Sequence, residues 1–265
     1  MTSLIPRLDR AVAVARAAGQ ETLRWFGAHD IGLRAKENGT PVTAADLAAE
    51  EILRRDLLGA FATDGFLGEE SGAHPGTSGF TWIVDPIDGT KAFARAVPLY
   101  GTLVGLEHEG RSVIGVAYFP ALGEMVYAAH GLGAHWVTGI GSRGGEVRRR
   151  AAVSGVARWE EACFCFTSLA GFEGADRRLL LDRFLSRAAL SRGWSDCYGH
   201  MLVATGRAEV MLDPRLAPWD CAALVPILEE AGGSFTDLAG RPTHRGGSGL
   251  STNRSLRDDA ISMCR

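Results

Sequence analysis

Residues 82–90, Trp82-Ile-Val-Asp85-Pro86-Ile87-Asp88-Gly89-Thr90, constrain this chain more than any other stretch. An apolar run reads as a buried strand that stops at Asp85, where Pro86 turns the chain. Asp88 follows, and Gly89-Thr90 open a predicted helix over residues 91–96. Two carboxylates three residues apart therefore stand at one strand end, beside the free N–H groups of a helix start. Carboxylate oxygens collect hard divalent cations, and helix N-termini collect phosphate. The combination points to a metal-dependent phosphate site.

The bulk numbers leave room for such a site. A chain of 265 residues buries a real core, as one large domain or two modest ones. A net charge of −3 gives no reason to expect nucleic acid or an acidic membrane as a partner. Residues 1–16 are amphipathic, with Arg7, Asp9, Arg10 and Arg16, and lack the continuous apolar core of a signal peptide. No run approaches the ~18 apolar residues of a membrane span. Five cysteines, an odd number in a long chain, argue for free thiols and a cytoplasmic protein. Cys163-Phe-Cys165 alternates like a buried strand, and no second ligand pair accompanies it to make a zinc site.

Leu8, Val12, Ala15, Gly19, Leu23 and Phe26 recur at helical spacing, which predicts a helix over residues 6–26 stopped by Gly27. Lys36, Asn38 and Gly39 mark a turn. Thr43 and Asp46 have the spacing of a capping box, opening a second helix whose apolar face is Ala45, Ala48, Ala49, Ile52 and Leu53. Residues 65–68 read as a short strand ending in Glu69-Glu70, acids that fit either a solvated loop or a ligand pair. Residues 74–79 read as loop. Strand-like runs at 100–106, 113–118 and 125–129, continued by 131–136, predict an antiparallel meander. Arg148, Arg149 and Arg150 read as its solvated edge.

The pattern changes between residues 145 and 152, which divides the chain into an N-terminal α+β half (1–150) and a C-terminal α/β half (151–265). The second half reads as a strand at 162–166, a helix at 177–187, and a polar segment with Arg192, Ser195 and Asp196. A small-residue helix at 200–205, a strand at 209–212 and a loop at 213–218 follow. Trp219-Asp220 open a helix predicted to run through residue 231, kinked at Pro226 and closed by Gly232-Gly233. Residues 233–237 and 249–252 read as the last strands.

Glu69, Asp85, Asp88 and Asp220 all fall at strand ends or helix starts. If the fold gathers them, they repel one another unless divalent cations neutralise them. Oxygen-only ligation favours Mg²⁺ or Mn²⁺ over zinc. Two such ions can ligate a phosphate ester, activate a water and stabilise the leaving alkoxide. Thr90 offers a hydroxyl to orient that water. Asp46 and Asp220 also fit plain helix-capping roles.

Residues 43–46, 68–71, 82–90 and 218–220, with Glu230-Ala-Gly-Gly233, resemble the inositol monophosphatase family. The resemblance runs from the first helix to Ser251-Thr-Asn253. It implies an α/β fold layered as an αβαβα sandwich, usually homodimeric, and a Mg²⁺-dependent, lithium-sensitive phosphomonoesterase with two or three metals. By that resemblance Glu69, Asp85 and the Ile87 carbonyl hold the first metal, and Asp85 bridges to a second completed by Asp88 and Asp220. Asp88, Gly89 and Thr90 take the phosphate. Asp46 and Thr90, with Glu69, activate the attacking water.

Within the family, Lys91 and Ser195-Asp196-Cys197-Tyr198-Gly199 resemble the histidinol-phosphate phosphatase subgroup, although Ser195 replaces the more usual Gly. Arg192 falls where that subgroup carries a substrate-contacting Arg, and Asp196 is placed to pair with a substrate ammonium or imidazolium. Asp213 falls where inositol phosphatases carry an acid for substrate hydroxyls, and Asp220 also lies on the substrate side. A surface i,i+4 pair is the plainer reading of Arg192 and Asp196. The expected reaction is hydrolysis of L-histidinol phosphate by a metal-activated water. An inositol-1-phosphatase or broad sugar-phosphate phosphatase is the alternative. A non-catalytic phosphate-binding regulator is disfavoured, because every expected metal and water-activating residue is present.

Overall fold

The computed structural model describes residues 4–35, 41–194 and 196–265. The turn predicted at Lys36, Asn38 and Gly39, and the Ser195 position, lie outside the described residues. Helix α1 (Ile5–Leu23) carries Pro6 in its first turn, where a missing N–H costs nothing, and buries Leu8, Ala11, Val14, Ala15 and Ala18. It ends earlier than predicted, because residues 24–27 make a turn with Gly27 at φ 75°. A ribbon of β1 (Arg34–Ala35) and β2 (Pro41–Val42) leads to α2 (Ala44–Ala60). Next come β3 (Gly65–Gly68), β4 (Gly72–His74), β5 (Phe80–Asp88) and the one-turn helix α3 (Thr90–Phe93).

The predicted meander forms: β6 (Gly101–His108), β7 (Arg111–Phe119), β8 (Glu124–Ala129), β9 (Gly133–Thr138) and β10 (Val147–Arg150) pair antiparallel in succession. With β3, β4 and β5 they make an eight-stranded sheet among the described residues, ordered β10-β9-β8-β7-β6-β5-β3-β4. The three arginines lie on its exposed edge strand, as expected.

A second sheet is built from β11 (Cys163–Phe166) onward. Helices α4 (Leu169–Gly174) and α5 (Arg178–Leu185) precede β12 (Leu190–Arg192), then come α6 (Asp196–Ala204) and β13 (Val210–Asp213). Where one kinked helix was predicted there are two, α7 (Pro218–Cys221) and α8 (Leu224–Glu230). The break falls before Pro226, which occupies the first turn of α8. The helix yields nothing there, because first-turn N–H groups have no intrahelical partner. Strands β14 (Ser234–Thr236) and β15 (Gly249–Thr252) and helix α9 (Arg257–Met263) follow, giving among the described residues a five-stranded sheet ordered β12-β11-β13-β15-β14.

The layers follow from the buried faces. Helices α1 and α2 cover one face of the large sheet, packing Leu53 and Leu57 on Trp82, Val104 and Tyr118. Its other face packs Leu103, Phe119 and Val126 against Met201, Leu224 and Ile227 of α6 and α8, which also meet Met211 and Phe235 of the small sheet. Phe172, Leu181, Phe184 and Ile261 of α4, α5 and α9 cover that sheet's far face. The result is an αβαβα sandwich. Among the described residues, no helix is long and apolar enough to cross a membrane.

Two facing glycines place the middle layer. Gly105 on β6 and Gly115 on β7 are cross-strand partners. A Cβ on Gly105 would come within 2.6 Å of Ala222, and one on Gly115 would collide with the Ala223 carbonyl. The α7–α8 junction therefore lies flat on the sheet, and Ser112 Oγ fixes it by donating to Ala222 O at 2.5 Å. This seat brings α7 to the end of β5.

Candidate active site

Strand β5 does not stop at Asp85. Asp85 pairs with Leu103 and Asp88 with Gly101, so three residues on β5 span two on β6. The extra residue is a β-bulge, which bends a strand and re-aims its side chains. Pro86, lacking an N–H, fits where the ladder is interrupted, and its carbonyl accepts from Thr102 Oγ1 at 2.9 Å. Asp85 Oδ1 accepts from Ile87 N at 2.9 Å, which fixes that carboxylate against its own turn.

The acids on this bulge meet Asp220 from α7: Asp85, Asp88 and Asp220 present oxygens that all lie within 4.8 Å of one another. Each is held by a backbone amide. Asp88 Oδ2 accepts from Cys197 N at 2.6 Å, at the start of α6, and Asp220 Oδ2 accepts from Ala217 N at 2.7 Å. Asp220 is therefore not the N-cap itself, which is Ala217, but the third residue of α7 reaching back to it, and that capping role and its place in the cluster hold together.

These carboxylates are costly to ionise side by side. Burial, then the charges of Glu69 and Asp88, hold Asp85 well above the usual carboxylate range. Burial and the nearby Asp196 and Asp220 do the same to Asp88. Burial pushes Asp220 up to about 7, with Glu69 and Asp213 adding to the rise. A cation lodged among the three oxygens offsets their repulsion and favours all three ionised, so the donor set fits a hard divalent metal.

The other candidate residues surround this nest. Glu69 follows β3, its N–H bonded to Val84 O at 3.3 Å, beside the β5 end. Asp46 forms the capping box read from the sequence: its Oδ2 accepts from Thr43 N at 2.7 Å and from Thr43 Oγ1 at 2.5 Å. It is buried and its charge also reaches Asp85. Gly89 sits at φ 87°, the left-handed region open to glycine. Thr90 Oγ1 donates to Ile87 O at 3.1 Å, tying the hydroxyl to the carbonyl. Helix α3 is shorter than the predicted 91–96.

The substrate-side residues are less uniform. Asp196 opens α6 at φ 54°, and its Oδ2 lies 3.2 Å from where a Cβ on Gly89 would stand. Its carboxylate therefore faces the glycine turn. Arg192 ends β12, exposed, with Nη1 donating to Ser191 O at 2.8 Å. One residue is on a strand and the other starts a helix, so they are no helical i,i+4 pair. Lys91 is exposed beside the site. Asp213 is buried, its Oδ2 3.1 Å from His200 Nε2, while His200 Nδ1 lies 2.7 Å from Ser251 Oγ.

Sequence reasoning passed over the Cys197 amide and the His200 link, since neither carries a residue-type signal. Glu50, one helical turn after Asp46, was detectable as a second acid on the same face of α2.

A five-layer α/β sandwich with an acid nest where the end of β5 meets α6 and α7 is the frame of a metal-dependent phosphoric monoester hydrolase. The chain belongs to the inositol monophosphatase family, whose model matches residues 5–262. It is 42% identical to a histidinol-phosphatase of Chlorobaculum parvum, over 97% of this chain and 96% of that protein. A histidinol-phosphatase of Mycobacterium tuberculosis is 38% identical over 95% of each chain. Among solved structures, the extragenic suppressor protein suhB from Bartonella henselae superposes with a TM-score of 0.86 at 27% identity, covering 99% of both chains. The chain is thus a phosphatase of a metal-dependent family, as the motifs implied.

Proposed function

We propose that this enzyme hydrolyses L-histidinol phosphate to L-histidinol and phosphate, using Mg²⁺, with Mn²⁺ as a substitute. Near-full-length similarity to two histidinol-phosphatases, at 42% and 38% identity, carries the choice of substrate. Glu69, Asp85, the Ile87 carbonyl, Asp88 and Asp220 would hold two or three ions. Bound there, the ions supply Lewis acidity and offset the charge of the ester and the leaving oxygen.

The chain's own groups do the rest. The N–H groups of Gly89 and Thr90 cradle the phosphate, with Asp88 beside it on the side of the ions. Asp46 and Thr90, with Glu69, orient the attacking water, and Asp46 accepts its proton. Asp196 reads the substrate's cation. In histidinol phosphate the ammonium is on the carbon next to the ester CH₂, so a carboxylate facing Gly89 lies at a suitable distance from a phosphate held on that turn. Inositol phosphate has no such cation. Arg192, Lys91, Asp213 and Asp220 would complete the substrate side. Free cysteines throughout support a cytoplasmic protein, and the family resemblance supports a homodimer.

Turnover of L-histidinol phosphate and inositol 1-phosphate, compared with the purified enzyme in Mg²⁺, tests the reading. The expected result is a kcat/KM at least about 10²-fold higher for histidinol phosphate, the scale on which a site rejects an analogue that leaves a buried polar group unpaired. A clear preference for inositol phosphate overturns it.

A further inference from the structure

Helix α2 carries a second buried acid, whose two oxygens both accept from backbone amides. Glu50 lies one turn beyond Asp46 and is 3% exposed. Its Oε2 accepts from Glu70 N at 2.8 Å and its Oε1 from Ser71 N at 2.6 Å. Both oxygens are thus taken by successive amides of the β3–β4 turn, whose first residue is Glu69. Gly68, the last residue of β3, lies so close that any Cβ would collide with the Glu50 carboxylate. The turn is drawn onto α2 as tightly as a backbone can be.

We propose that Glu50 is a positioning residue for the metal centre, clamping the turn so that the Glu69 carboxylate is held toward Asp85 and Asp220. The inference rests on the proposed role of Glu69 as a metal ligand. An isolated Glu69 turn pays conformational entropy when it binds metal, and a turn already fixed does not. The same rigid helix carries Asp46, so α2 sets the spacing between the water-orienting acid and the ligand turn. Each of the two N–H donors is taken by a different oxygen of the carboxylate. A glutamine offers one oxygen and turns its NH₂ against the other amide, so Glu50→Gln breaks the clamp with almost no change of shape.

The test combines Mn²⁺ titration by electron paramagnetic resonance, the Mg²⁺ dependence of hydrolysis, and amide exchange. Glu50→Gln is expected to weaken Mn²⁺ binding about 10–100-fold, the range for losing a group that orients a ligand. Its kcat at saturating Mg²⁺ should return to within about threefold of wild type, which general damage to the fold would not allow. Asp85→Asn, measured alongside, should lose Mn²⁺ binding altogether. Wild-type affinity in Glu50→Gln, with binding lost in Asp85→Asn, overturns the clamp and leaves the metal centre standing. Wild-type affinity in Asp85→Asn overturns the metal reading beneath it. In the wild-type protein, Glu70 and Ser71 amides should exchange slowly despite their place in a surface turn. Fast exchange of both refutes the clamp even if the Gln variant fails to fold.

Discussion

One carboxylate, Asp46, closes the N-terminus of α2 and faces the acid nest. The two roles make different demands. Capping needs an acceptor oxygen for Thr43, which an asparagine also supplies. Proton transfer needs a group that can take a proton, which an asparagine cannot. Asp46→Asn should therefore leave thermal stability within about 1 kcal/mol, as for exchange between good caps, while hydrolysis falls about 10²–10⁴-fold. Melting curves and kcat on the same preparation separate the roles. If stability drops with activity retained, the cap is the whole function of Asp46. At this scale the sequence was highly legible, because Thr43, Asp46, Asp85, Asp88 and Asp220 announce themselves by residue type and spacing. Asp213 was less so: its burial against His200 depends on a partner thirteen residues away in the chain, on another element.

At the scale of elements, the position of Asp220 depends on two residues with no side chain. Gly105 and Gly115 let the α7–α8 junction lie on the large sheet, and a Cβ at Gly115 would meet the Ala223 backbone, which cannot rotate away. Gly115→Ala should cost about 1–3 kcal/mol, as overpacking does, and lift α7 from β5. Calorimetry should show the lower Tm, and metal titration a weaker affinity, although residue 115 touches no candidate ligand. Unchanged affinity would mean that α7 holds its place by other contacts. Such packing is hard to read in a sequence, where a strand glycine signals weakness rather than contact. Similar physics hid the bulge in β5: Pro86 looks like a stop because it cannot donate to the ladder, and only the register with β6 reveals that the strand resumes. Helix α4, strand β12 and helix α9 were missed because elements of three to seven residues are too short for apolar spacing to resolve. The long meander, with turns between even apolar runs, was plain.

For the whole molecule, the acid nest links pH, metal and stability. Asp220 rises from the ordinary 3.8 to about 7, chiefly by burial, and Asp85 and Asp88 rise for the same first cause. A carboxyl raised in the fold holds a proton that the unfolded chain has already released. Without metal its contribution to stability is full below about pH 4 and is lost as pH climbs through the folded value. His135 and His244 pull the other way, since burial lowers both, so the metal-free curve alone is ambiguous. The difference between metal-loaded and metal-free protein removes the histidine terms, because neither ring belongs to the nest. Metal must displace the protons that the acids hold, so its binding strengthens as pH rises. The Tm gained on replacing chelator with excess Mg²⁺ should therefore be small at pH 5.5 and grow toward pH 8. At a hundredfold excess over Kd the gain is about 2.7 kcal/mol, or several degrees at roughly 2–4 °C per kcal/mol for large domains. Asp85→Asn should flatten this dependence by removing one of the three clustered acids. A Mg²⁺-induced Tm gain that is constant from pH 5.5 to 8 in the wild-type protein would mean that the three carboxylates are not what the metal binds.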